Sequence, residues 1–216
     1  MKAVLVAGGT IDEKKLRKAC EKEIYIAAAD SGADALYKLS ISPNLLIGDF
    51  DSISDKTFVD YRKNGIECVS FPPEKDASDS ELALSILKDR GYDEIEFFGA
   101  LGGRLDHSVS NLFLTYRFYQ EGVCVYLRGD CDARVVTGIH EIKRSGRFFS
   151  LFRIAPERTV VSIRGAKYDL ESKELPWASS LGLSNEWKDD VVMITVHSGA
   201  ALFIESNEAN IGCLCK

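Results

Sequence analysis

Three acidic segments carry the residue types that phosphate chemistry needs: Gly48-Asp49-Phe50-Asp51-Ser52, Lys75-Asp76-Ala77-Ser78-Asp79 and Gly102-Gly103-Arg104-Leu105-Asp106-His107. Each follows a short apolar run that reads as a β-strand. Carboxylates gathered where strands end can hold a hard divalent cation through oxygen, and such a cation can hold the phosphates of a nucleotide. Asp49 and Asp51 stand at i and i+2 around Phe50, so an extended segment would turn both carboxylates to one side. The competing reading is an Asx-turn that starts the next helix. Asp76 and Asp79 lie at a helix entry beside Glu81, where the helix dipole alone would favour them. Lys75 and the stiff Phe71-Pro72-Pro73 approach add a phosphate-capable cation and a rigid support.

The third segment, Gly99-Ala100-Leu101-Gly102-Gly103-Arg104-Leu105-Asp106-His107, is the most specific by composition. Its glycines let backbone amides approach an anion, Arg104 can fork onto phosphate oxygens, and a helix N-terminus follows. The alternative is a glycine-rich turn closed by an Arg104–Asp106 ion pair, which on a surface would contribute little stability. His107 fits a donor role or a capping role equally. Gly8-Gly9-Thr10 and Asp30-Ser31-Gly32-Ala33-Asp34 also follow strands, and each can touch a nucleotide. His140 and His197 have no Cys or acid partners at ligand spacing and read as structural, and Trp177, Trp187 and Phe203 read first as core.

The elements that must position these residues come in two styles. From Met1 to about Leu127, strands expected at Ala3–Ala7, Ile24–Ala28, Leu45–Ile47, Glu67–Ser70, Ile95–Phe98 and Val123–Leu127 alternate with helices at Asp12–Cys20, Ala33–Leu39, Asp55–Lys63, Ser78–Arg90 and Ser108–Gln120. Ser54 and Ser78 are expected caps, and Gly65, Gly91 and Gly122 expected stops. This order predicts a doubly wound, mainly parallel α/β sheet with flanking helices, whose ligands sit at the carboxyl ends of the strands. Beyond Val136 the segments His140–Ile142, Phe148–Ile154, Val160–Ile163, Val191–Val196 and Leu202–Glu205 are short and β-rich, which predicts a smaller all-β, sandwich-like domain. The boundary is expected near Thr137-Gly138, giving domains 1–137 and 138–216.

The 216 residues carry a formal charge of -6, with 45% hydrophobic and 28% charged residues. A net acidic chain without a Lys/Arg run longer than two argues against nucleic-acid and anionic-membrane partners. The opening Ala3-Val4-Leu5-Val6-Ala7 run is too short for an export or membrane segment, so a cytoplasmic protein is expected. Six cysteines without a Cys-x-x-Cys pair, Cys213 and Cys215 being the only close two, point to reduced thiols.

Taken together, Ala29-Asp30-Ser31-Gly32-Ala33, Ile47-Gly48-Asp49-Phe50-Asp51-Ser52, Asp76-Ala77-Ser78-Asp79 and the Gly99–His107 segment, followed by Gly182-Leu183-Ser184-Asn185, resemble the thiamine pyrophosphokinases, also called thiamine diphosphokinases. The resemblance implies an α/β catalytic domain followed by a β-sandwich-like one, and transfer of the diphosphate of ATP to the hydroxyl of thiamine with magnesium, giving thiamine diphosphate and AMP. It further implies a homodimer, with thiamine held between the catalytic domain of one subunit and the β-domain of the other. By motif position, Asp49, Asp51, Asp76 and Asp79 would bind the metal, and Asp49, Asp51, Asp79 and Asp106 would form the catalytic set. Asp30, Ser31, Gly32, Lys75, Gly102, Gly103, Arg104 and His107 would join Asp49, Asp76 and Asp106 around ATP. Ser184 and Asn185 would hold thiamine, with Leu202 or Phe203 at the place of the family's aromatic residue. Two other readings stay open: a pyrophosphokinase for another hydroxyalkyl heterocycle such as a pterin, and a non-catalytic nucleotide or thiamine sensor.

Overall fold

A computed structural model describes residues 1–21, 23–72, 74 and 76–206; Lys75, Cys213 and Cys215 therefore lie outside the described residues. The chain divides into two compact units, Met1–Gly129 and Asp130–Lys216.

In the first unit, β1 (Lys2–Val6), α1 (Glu13–Ala19), β2 (Tyr25–Ala29), α2 (Gly32–Lys38), β3 (Leu45–Gly48), α3 (Asp55–Lys63), β4 (Glu67–Ser70), α4 (Asp79–Asp89), β5 (Glu94–Phe98), α5 (Leu105–Gln120) and β6 (Cys124–Arg128) alternate without exception. The strands lie in the order β6-β5-β1-β2-β3-β4, and every pair is parallel. The apolar runs reflect burial on both faces. Val4, Val6, Ile26, Ala28 and Leu46 pack with Leu16, Ala33, Leu36 and Tyr61, while the intervening Leu5, Ala27, Leu45 and Ile47 point to the opposite face and are equally buried. Gly65, Gly91 and Gly122 end their helices at φ of 76°, 87° and 84°, a backbone region that favours glycine. Ser78 caps α4 through the Glu81 amide at 3.2 Å. Ser54 instead turns its hydroxyl to Asp34. The strand order reverses between β1 and β5, so the crevice at their carboxyl ends is the place where a doubly wound sheet binds ligands.

The second unit is antiparallel. Its strands are β7 (Cys131–Lys143), β8 (Phe148–Arg153), β9 (Thr159–Arg164), β10 (Leu170–Leu175), β11 (Asn185–Glu186) and β12 (Val191–Ser206). The two short strands expected at Val191–Val196 and Leu202–Glu205 are halves of β12, and the boundary expected at Thr137-Gly138 falls inside β7. Both departures have one cause. The β7–β12 register slips between Val196 and Ala201, where Gly199 takes φ 70° and Gly138, opposite Val196, takes φ 71°. An irregularity of this kind bends a paired strand without ending it. On either side of the bend β12 exchanges its second neighbour, β9 for β8. Phe149, Leu151 and Phe203 from one half share a core with Val161, Ile163, Val192 and Ile194 from the other, which is the sandwich-like arrangement. Among the described residues no disulfide forms, and no helix is long and apolar enough to cross a membrane.

Candidate active site

The loops after β1 and β5 interlock at the switch point. The Gly9 amide donates to the Gly99 carbonyl and the Thr10 amide to that of Leu101, both at 2.9 Å. A Cβ on Gly9 would lie 2.4 Å from the Gly99 oxygen and 2.6 Å from that of Leu101, and one on Gly102 would lie 2.2 Å from the Thr10 hydroxyl. Glycine is what lets two backbones meet this closely. Gly8-Gly9-Thr10 thus belongs to the site architecture, a role that only a contact across some 90 residues reveals. Asn111, buried on α5, braces the same loop by donating to the Ala100 carbonyl at 2.7 Å.

Further along the sheet edge the carboxylates gather. Asp30 follows β2 at φ 48°, and its Oδ1 lies 2.2 Å from where a Gly48 Cβ would stand, with Asp79 Oδ1 at 3.5 Å from the same point. The bare Gly48 Cα therefore allows Asp30 and Asp79 to face one another. Gly32 opens α2 and is buried, and a Cβ there would meet the Val6 carbonyl at 2.1 Å, so this glycine seats the helix on β1. Asp49 and Asp51 are not on an extended segment: Phe50 takes φ 66° and the Asp49 carboxylate accepts from the Asp51 amide at 3.2 Å. This is the Asx-turn, stabilised because a short acidic side chain hydrogen-bonds its own backbone two residues on. Phe50 anchors the turn against Phe58, ring centroids 5.0 Å apart. At the far end of the turn, Asp34 on α2 accepts from the Ser54 amide, the Ser54 hydroxyl and the Thr57 hydroxyl. Burial pushes the Asp34 carboxyl up, but those hydrogen bonds outweigh it and hold the group below its ordinary range. Asp76 is exposed just before α4. Among the described residues no three Asp, Glu, His or Cys side chains form a ready-made metal group.

Helix α5 starts at Leu105, three residues earlier than the expected Ser108, so Asp106 and His107 stand in its first turn. Arg104 grips Asp106 bidentately, Nη2–Oδ2 2.5 Å and Nε–Oδ1 3.1 Å, and the His107 amide also donates to Asp106. The Arg104 hydrogen bonds pull the Asp106 carboxyl down to about 2. Gly102 and Gly103, exposed at φ 85° and 68°, lead into this pair.

In the second unit, Ser184 is exposed at φ 54°, its amide donating to the Ser150 hydroxyl at 3.0 Å. Asn185 is 3% exposed and turned inward. Its amide group donates to the Tyr168 carbonyl at 2.8 Å and accepts from the Tyr168 and Glu186 amides, each at 3.0 Å. The side chain thereby holds the backbone of Tyr168, a residue that is 58% exposed. Phe203 is 1% exposed and packs on Phe149. In this chain, then, Asn185 is engaged with the Tyr168 and Glu186 backbone and Phe203 with Phe149, and both side chains are buried.

Residues 16–127 match the family model described as thiamin pyrophosphokinase, catalytic domain, and residues 139–201 match the one described as thiamin pyrophosphokinase, vitamin B1 binding domain. The chain belongs to the thiamin pyrophosphokinase family. A thiamine pyrophosphokinase of Bacillus subtilis (strain 168) is 26% identical over 183 residues, which span 83% of this chain and 86% of the relative. Thiamine pyrophosphokinase 1 of Oryza sativa subsp. japonica is 26% identical over 173 residues, 74% of this chain but only 65% of that longer relative. Among solved structures, the Bacillus subtilis thiamine pyrophosphokinase superposes with a TM-score of 0.86 at 24% identity, over 96% of this chain and all of the other. The thiamin pyrophosphokinase from Candida albicans gives 0.77 at 19% identity, over 95% and 89%. At these identities the likeness establishes the fold. The catalytic match takes in the loops after β2, β3, β4 and β5 and leaves Gly8-Gly9 outside, although Gly9 is seated against the loop after β5. The vitamin B1 binding match takes in Tyr168, Ser184 and Asn185 and stops before Phe203.

Proposed function

We infer that this chain is an ATP-dependent diphosphotransferase that moves the diphosphate of ATP to the hydroxyl of thiamine and releases AMP. The observation that carries the reading is the order of the two family matches on two separate units, catalytic then vitamin B1 binding, with the acidic loops of the first gathered at one sheet edge. The glycine-rich loop and the α5 N-terminus favour an anion, and Arg104 can exchange its exposed Asp106 partner for phosphate oxygens, because an exposed pair is weak.

Magnesium fits the donors present. They are hard carboxylate oxygens, and magnesium binds through one or two carboxylates plus substrate phosphates, so a preassembled protein cage is not required. Its ligands would be drawn from Asp30, Asp49, Asp76 and whichever of Asp51 and Asp79 is not the base, and when bound it would neutralise charge on the non-bridging phosphate oxygens. Asp51 or Asp79 orients or deprotonates the thiamine hydroxyl for in-line attack at the β-phosphorus. Ser184 and Tyr168 mark the part of the second unit that meets thiamine. A homodimer with shared sites completes the reading. It is supported by an exposed apolar stripe on α5, where Leu105, Val109 and Phe113 are 77%, 42% and 59% exposed. The test is AMP formation from ATP and magnesium with and without thiamine, the second product being weighed. Thiamine-dependent AMP with a diphosphorylated product is the expected result; ADP in place of AMP would overturn the mechanism.

A further inference from the structure

The turn that carries Asp49 and Asp51 runs from the end of β3 at Gly48 to the start of α3 at Asp55. A residue of another helix fixes its far end. Ser54 stands at the N-cap of α3, yet its side chain accepts from no amide of that helix. Its hydroxyl donates to Asp34 Oδ1 at 2.6 Å and its amide to Asp34 Oδ2 at 2.9 Å. The Thr57 hydroxyl, 2.8 Å from that of Ser54, also donates to Oδ1. In an ordinary capping box, an acidic or amide side chain three places beyond the N-cap takes the N-cap amide. Here that place is held by Thr57, which is 2% exposed, and the carboxylate comes from α2.

We propose that Asp34 is a positioning residue for the reaction: by closing the capping box of α3 from α2, it holds the Asp49–Asp51 turn in place for metal-bound phosphate. The proposal rests on the diphosphotransferase reading above. Both Asp34 oxygens are engaged by protein donors, so the side chain supports the turn and is no ligand itself. Its place in the chain gives it leverage. Asp30, at the end of β2, and Asp34 flank the first turn of α2, so one short stretch ties the loop after β2 to the loop after β3. A cation drawing oxygens from both loops needs them at a fixed separation, and groups behind metal ligands typically cost roughly 10- to 100-fold in metal affinity when removed. A second polar link between the same helices supplies the comparison. The Tyr37 hydroxyl donates to Asp60 Oδ2 at 2.6 Å, further along both helices and away from the turn.

The experiment measures manganese(II) binding in the presence of tripolyphosphate from the paramagnetic resonance signal of the free ion, which needs no turnover. Asp34→Ala is expected to weaken binding by about tenfold or more. Ser54→Ala combined with Thr57→Val, which strips both hydroxyls from Asp34, should repeat the loss and serves if Asp34→Ala does not fold. Asp34→Asn keeps an oxygen for the Ser54 amide and should restore affinity to within about threefold of wild type. Tyr37→Phe should lower the melting temperature through its lost hydrogen bond but leave manganese affinity within about twofold. Unchanged affinity in the folded variants that disarm Asp34 would overturn the proposal, leaving Asp34 a stabilising contact alone. An equal loss in Tyr37→Phe would overturn it too, by making looseness between the helices the cause, and so would a wild-type protein that takes up no manganese. Failure of the functional reading shows differently. Asp34-dependent manganese binding in a protein that releases no AMP with thiamine would uphold the positioning role and sink the diphosphotransferase. Thiamine-dependent AMP release with wild-type rate and manganese affinity in Asp34→Ala would do the reverse.

Discussion

Replacing Gly9 by alanine is the sharpest test of the interlocked loops. A Cβ at this position starts 2.4 Å from the Gly99 carbonyl oxygen, while Cβ contacts under 3.0 Å are essentially never seen, so one loop must move by at least 0.6 Å. Both obstacles, Gly99 O and Leu101 O, are backbone atoms and cannot rotate aside. Overpacking of this kind costs about 1–3 kcal/mol, and the displacement stretches the hydrogen bonds from Gly9 and Thr10, each contributing about 0.5–1.5 kcal/mol. The terms overlap, giving roughly 2–3 kcal/mol and a melting temperature lower by about 4–12 °C for a chain of this size. Turnover should fall by roughly 10- to 100-fold, since misplacing catalytic groups by about 1 Å can cost about 10²-fold. Gly8→Ala is the internal comparison: its Cβ meets only the Ser31 side chain, which can change rotamer for about 1 kcal/mol or less. Differential scanning calorimetry and AMP release on both variants decide the matter. A Gly9→Ala protein with wild-type melting and turnover would refute the claim that these loops are seated against one another.

Three further outcomes follow from the geometry. The Asp106 carboxyl should titrate near 2 by NMR; because its folded value is depressed, its stabilising contribution is present above the ordinary 3.8 and is lost as pH falls through about 2. Arg104→Ala should return it toward the ordinary range, and an unmoved titration would disprove the Arg104 grip as the cause. Asn185→Ala, which removes both hydrogen bonds to the Tyr168 backbone, should destabilise by about 2–3 kcal/mol and raise the KM for thiamine while sparing that for ATP. Tyr168→Ala should reproduce the KM effect without the loss of melting temperature, and a normal thiamine KM in both would leave Asn185 a purely structural residue. Phe113→Asp, which puts a charge on the α5 stripe, should convert a dimer to monomer by light scattering; an unaltered dimer, or a wild-type monomer, would rule this face out as the interface.

The parallel sheet was legible because burial on both faces writes continuous apolar runs, and the helix stops because Gly65, Gly91 and Gly122 must take positive φ. The bend in the second unit was not, since Gly138 and Gly199 look like breaks in sequence while in the fold they let two long strands turn together. Side-chain direction was the other hidden quantity. Asn185 and Phe203 were expected beside a ligand from the resemblance, and in the fold both side chains are buried. Nothing in local residue type distinguishes an amide that meets a ligand from one that clamps the neighbouring backbone.

The acidic motifs show why spacing misleads even when residue type does not. Asp49 and Asp51 were legible as carboxylates at a strand end, but a short acidic side chain beside a free-running loop satisfies its own backbone first, and Phe50 at φ 66° fixes the result. The same economy governs Arg104 and Asp106, which neutralise one another at the surface. Without phosphate or cation, carboxylates repel and a cation finds the nearest acid, so the free protein stores its charges in local turns and pairs. On this argument the substrate and magnesium complete the site, with Arg104 released from Asp106 as its phosphates arrive. The Asp106 carboxyl should therefore titrate higher in the presence of tripolyphosphate and magnesium than in the free protein, and an identical titration in both would mean that Arg104 never leaves its partner.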